Sequence, residues 1–130
     1  MKDLNEVILG IGPGGEQIGS STDASINQQS EPVNLNYRYG VAIQAVFTGS
    51  PVGMASLQGS CDYGATNNPQ AGGNDQVVNW TDISGSVAVI SGVGTASWNF
   101  QGSFYKWIRL IYTATSGSGT IIVRANSKGF

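Results

Sequence analysis

The chain contains no histidine. That removes the usual general base, the commonest metal ligand and every Ser-His or Cys-His arrangement. It has one cysteine, Cys61, so no disulfide can form within the chain, and with no histidine there is no ordinary zinc set. Cys61 reads as a small buried residue near a strand end. Charge is also scarce, at 11% of residues with a net charge of −2, where about a quarter is usual. With no basic cluster, a sequence-independent grip on nucleic acid is not expected. No apolar run reaches the length of a membrane span, and the start "MKDLNEVILGIGPGG" has no signal-peptide core. The expected site of synthesis is a cytoplasm, with exit by lysis or dedicated machinery. No cofactor is expected.

Abundant residues point to β structure. Gly numbers 19, hydrophobic residues make up 40%, and Ser, Thr and Asn fill much of the rest. Helical periodicity is absent. Short alternating runs separated by turn formers recur instead. They lie at 33–38, 41–48, 52–60, 76–80, 86–90 and 95–100, with two more in the closing segment and a short one at 6–9. Within 41–48, Val41, Ile43, Ala45 and Phe47 share one face. Within 52–60, Met54, Ser56 and Gln58 alternate with Ala55 and Leu57. The expected fold is all-β, a single antiparallel β-sandwich of about eight strands, jelly-roll-like, with an extended N-terminal arm. The arm is residues 1–32, poor in large apolar groups, and the sandwich is residues 33–130. "GIGPGG" lacks the Lys-Ser/Thr ending of a phosphate loop and reads as a flexible turn.

The closing stretch, "YKWIRLIYTATSGSGTIIVRANSKGF", carries two apolar runs around a Ser-Gly-Ser-Gly turn. Read as a hairpin with Gly117 and Ser118 at the tip, it places Ala114 opposite Ile121, Tyr112 opposite Val123 and Leu110 opposite Ala125. One face then holds Ile108, Leu110, Tyr112, Ile121, Val123 and Ala125, and reads as core. The other holds Tyr105, Trp107, Arg109, Ile111, Thr113, Ile122, Arg124 and Asn126. Such a mixture of rings, aliphatics and guanidinium groups suits an interface, with Tyr105, Trp107, Arg109 and Arg124 as its candidate residues. The alternative is that both arginines are stacked and hydrogen-bonded within the chain.

Residues 62–75 form a long polar loop. Asp62, Tyr63, Asn67 and Asn68, with Trp80 just beyond, are candidate ligand-binding residues: an aromatic ring under a sugar with polar groups at its rim. The competing reading is a loop plug over the end of the sandwich. Trp98, alternating beside Phe100, reads as core. Three aspartates in the folded part, Asp62, Asp75 and Asp82, are the available carboxylates for glycoside hydrolysis, and no catalytic residue is assigned to them.

From Tyr39 onward the order of residues resembles a group of small phage-encoded virion proteins. "GVAIQAVFTGSPVGMASLQGSCD" is a strand, a Thr-Gly turn and a strand ending in Ser-x-Asp. "ISGS" and "SWNF" follow, then "FYKWIRLIYTATSGSGTIIVRANSKG", an aromatic–Arg strand with a Tyr-Thr-x-Thr-Ser-Gly-x-Gly turn and a Lys-Gly ending. The resemblance covers residues 39–130 and contains no catalytic motif. It implies a non-enzymatic structural protein of a bacteriophage particle: a decoration, minor head or fibre component. Such a protein would self-associate, with a trimer favoured, and would dock on other virion proteins through the arm. A carbohydrate-binding adhesin or receptor-binding tip is the alternative on the same scaffold. A hydrolase ranks third.

Overall fold

The computed structural model describes residues 3–11, 15, 17–19, 21–35, 38–61, 79–101 and 105–129. These residues form eleven strands: β1 (Asp3–Ile11), β2 (Gln17–Ile18), β3 (Gln28–Gln29), β4 (Val33–Asn34), β5 (Arg38–Gly49), β6 (Val52–Ser60), β7 (Thr81–Asp82), β8 (Ala88–Ser91), β9 (Gly94–Gln101), β10 (Trp107–Ser116) and β11 (Gly119–Gly129). Every pairing is antiparallel. One sheet runs β2-β1-β11-β5-β9. The other runs β3-β10-β6-β7, with β4 also on β10 and β8 also on β6. The two sheets pack face to face, which is the expected all-β sandwich.

Alternation puts the apolar residues between the sheets. Val41, Ile43, Ala45 and Phe47 of β5 meet Ala55 and Leu57 of β6. Ile108, Leu110 and Tyr112 of β10 meet Ile121, Val123 and Ala125 of β11. All are buried in one cluster. Each fully buried Ile, Leu, Val or Phe contributes about 1.5–3 kcal/mol, so this two-layer stack accounts for the fold. Phe47 and Tyr112 touch across it with ring centres 5.4 Å apart.

The expected hairpin is corrected. β10 pairs with β6, and β11 pairs with β5 and β1. The Ser-Gly-Ser-Gly turn therefore carries the chain from one sheet to the other. The Gly-Ser-Pro turn between β5 and β6 does the same, and the two crossings lie side by side. Ser50 N donates to Ser118 O at 2.8 Å. The contact leaves no room for a side chain: a Cβ on Gly117 would strike Ser50 O, and one on Gly119 would strike Thr48 O. Gly117 also has φ of 77°, which favours glycine.

The N-terminal segment is corrected too. The described residues within 1–32 do not stand apart from the sandwich. β1 lies inside the first sheet, with Ile8 and Leu9 in the core. Further on, Ile121 N donates to Thr22 O and Ala24 N to Gly119 O, while Ser30 N donates to Leu110 O. The segment thus crosses from one sheet to the other and is bonded to both. Two smaller readings change as well. Cys61 is exposed, not buried. Of the strand expected at 76–80, residues 76–78 lie outside the described residues, and the strand described there is β7, after Trp80.

Candidate functional site

The split of β10 from β11 also splits the expected mixed face. Arg109 is on the outer face of the second sheet, opposite Gln58. Arg124 is exposed on the first sheet, between Val7 and Gln44 in register. It borders a shallow depression with Ala42, Gln44 and Asn126. The two arginines therefore lie on opposite sides of the sandwich and cannot share one interface patch. Tyr105 precedes β10 and packs against the core cluster, not beside Arg109. Trp107 does share the outward parity of Arg109, but it is 1% exposed.

A compact polar row forms around Arg109. Register sets Arg109, Gln58 and Asp82 side by side across β10, β6 and β7. Arg109 donates to Gln58 Oε1 twice, from Nε at 3.0 Å and from Nη2 at 2.8 Å. Gln58 Nε2 donates to Asp82 Oδ1 at 2.8 Å. The amide is thus oriented at both ends, oxygen toward the cation and nitrogen toward the carboxylate. Trp80, just before β7, places its ring 4.1 Å from the Arg109 guanidinium carbon. This is close cation–π contact. Partial burial lowers the Arg109 pKa, yet the group remains a cation at any working pH.

Neighbouring groups complete the surface. Trp107 lies opposite Asn34 and Ser60, one step along the sheet. Its indole nitrogen is buried, with no hydrogen-bond partner among the described residues. The Lys106 ammonium sits 5.7 Å from the Trp107 ring centre. Asp82 is exposed, and Gln58, Trp80 and Arg109 are half-buried. The row offers ring edge, guanidinium, amide and carboxylate within one strip. Such groups are able to exchange hydrogen bonds with a polar, uncharged or cationic molecule. It does not amount to a glycosidase pair, which needs two carboxylates.

Among the residues expected at a ligand site, Trp80 is in this row. Asp62, Tyr63, Asn67 and Asn68 lie outside the described residues. Gln58 and Asp82 are the members that sequence reasoning did not join to it. Alternation had already put Gln58 on the outer parity of its strand, but nothing local indicates that β6 sits between β10 and β7. Trp98, expected in the core, packs against it and donates from Nε1 to Ser86 O at 2.7 Å. Buried Ser86 in turn accepts from Leu57 N at 3.0 Å and donates to Ile83 O at 2.6 Å. This small network ties β9 of one sheet to β6 of the other.

The fold defines a class, the antiparallel β-sandwich. No protein-family model matches the chain, and no curated protein does. Solved structures do. The SPBc2 prophage-derived protein YomS superposes with a TM-score of 0.53 at 8% identity, covering 97% of this chain and 92% of that one. A chitosan-binding module from a chitosanase/glucanase of Paenibacillus sp. IK-5 superposes with a TM-score of 0.50 at 16% identity, covering 95% and 92%. At these identities the likeness is one of fold.

Proposed function

We propose that this is a non-enzymatic structural protein of a bacteriophage particle, made in the host cytoplasm and assembled into the virion as a self-associating β-sandwich. The observation that carries the reading is the whole-length likeness of fold to a prophage-derived protein. It agrees with the independent resemblance of residues 39–130 to phage virion proteins. Scarce charge supports an assembled protein, since little of the surface is then left to be kept soluble by charge. The absence of histidine supports a role without catalysis. Docking would use the sandwich itself, because the N-terminal segment is built into both sheets.

The test is genetic. Particles made without the chain should differ from normal ones in stability or adsorption, and purified chain added back should restore them. Particles unchanged by the deletion would refute the reading.

A second reading is favoured by the row of Trp80, Arg109, Gln58 and Asp82. It is carbohydrate binding by an adhesin or receptor-binding tip. Its support is an aromatic ring beside three polar side chains held in fixed orientation. The chitosan-binding neighbour lends the fold a precedent. Retention on chitosan beads that is lost in Trp80→Ala and Asp82→Ala would support it. No retention there, and no signal on a glycan array, would dismiss it.

A further inference from the structure

One side of the sandwich is unlike the rest. It is bounded by β9, the last strand of the first sheet, and β8, which ends the upper part of the second. The 23 residues from Ile83 to Tyr105 supply both strands and contain no Lys, Arg, Asp, Glu or Pro. β9 pairs with β5 over eight residues without a register shift. Its far side has no strand partner among the described residues. Exposed edges are ordinarily blunted by charge, proline, a bulge or shortness, because their free amides and carbonyls invite another strand. This edge has none of those devices. The opposite edges do: they end in the two-residue strands β2, β3 and β4.

Apolar exposure concentrates on the same side. Val89 is 78% exposed, Val93 74% and Val87 63%. Between β8 and β9 runs a groove of about 490 Å³ floored by Phe47 and walled by Ala88–Ser97. Trp98 and Phe100, further along β9, are only half-buried.

We infer that this side binds a second copy of the chain, with β9 of one copy antiparallel to β9 of the other about a two-fold axis. A charged partner would find nothing to pair with across this surface. A strand alike in character would, and β9 complements itself. Centred on Ser97, the antiparallel register sets Ala96 of one copy opposite Trp98 of the other, and Gly94 opposite Phe100. Small residues then face large ones on the core side, while Thr95, Ser97 and Asn99 face solvent. The two first sheets join into one of ten strands, and the valines of β8 and its flanking turns lie along the seam. A two-fold contact is isologous, as is usual for homodimers. It differs from the trimer favoured on the resemblance. This inference rests on the self-association part of the proposed function and names its surface.

The experiment is sedimentation equilibrium of the full-length chain over a concentration series, with Ser97→Lys, Val89→Lys and Arg124→Ala. The wild type should fit a dimer of the 13.5 kDa chain. In Ser97→Lys two like charges meet at the axis, so dimerisation should weaken at least about 100-fold. Val89→Lys should weaken it as well, and it decides the matter if circular dichroism shows Ser97→Lys unfolded. Arg124→Ala, on the same sheet face as Ser97 but two strands in from the β9 edge, should remain dimeric. A wild type that is monomeric throughout would overturn both the inference and self-association. An associated wild type unaffected by either lysine would overturn the surface alone. A trimer dissolved by them would overturn the two-fold pairing.

Discussion

The guanidinium of Arg109 lies 4.1 Å from the centre of the Trp80 ring while its Nε and Nη2 both bond Gln58 Oε1. Arg124 makes no comparable stack among the described residues and is exposed on the other sheet. The two arginines should therefore respond differently to truncation. Arg109→Ala removes a cation–π contact and strands the Gln58 oxygen, and should cost about 1–3 kcal/mol. Arg124→Ala should change stability by no more than about 0.5 kcal/mol. Urea unfolding of both variants measures the contrast. Equal losses would contradict the separation of the two side chains.

Tyr112 is fully buried against Phe47, and its hydroxyl has no hydrogen-bond partner among the described residues. Tyr112→Phe should raise stability by about 1 kcal/mol, because it removes an unsatisfied group and leaves the ring. Burial also raises the Tyr112 pKa. The phenol is thus more acidic in the unfolded chain than in the folded one. Its contribution is present below the unfolded value, about pH 10, and is lost as pH rises through the folded value. Tyr112→Phe should accordingly lose less stability than wild type between neutral pH and pH 11. Melting temperatures across that range test it.

The crossing at Gly117 should tolerate no side chain. Gly117→Ala forces a positive φ on alanine and drives its Cβ into Ser50 O. Backbone strain alone costs about 1–3 kcal/mol. A control at Gly85, which has φ of 78° and open space around it, should show the strain without the clash. Thermal melts should rank Gly117→Ala below Gly85→Ala, and both below wild type.

Removal of residues 1–11 distinguishes a strand from a detachable arm. The deletion exposes one edge of β11 and takes Ile8 and Leu9 from the core. The truncated chain should be insoluble or melt far below the intact one. A truncated chain that melts like the intact one would show that β1 is dispensable.

Much of this fold could be read locally. The period of two is a property of single strands, so the core faces of 41–47, 55–57, 108–112 and 121–125 were legible. Partner choice was not. A glycine-serine turn between two alternating strands looks the same whether it closes a hairpin or crosses between sheets, because in both cases the same residues point inward. Reading 105–125 as a hairpin therefore kept the core right and merged Arg109 with Arg124 wrongly. The first 32 residues misled for another reason. Their attachment runs largely through backbone hydrogen bonds, such as Ile121 N to Thr22 O and Ser30 N to Leu110 O, which composition does not register. At the site, Trp80 and Arg109 were visible as unusual residues. Their meeting through β6 depends on strand order.

The most direct test of the account is the copy number of this chain in gradient-purified phage particles, by quantitative mass spectrometry. A structural role predicts a fixed multi-copy ratio to the major head protein that survives rebanding in high salt. A trace amount that falls with each round of purification would contradict it.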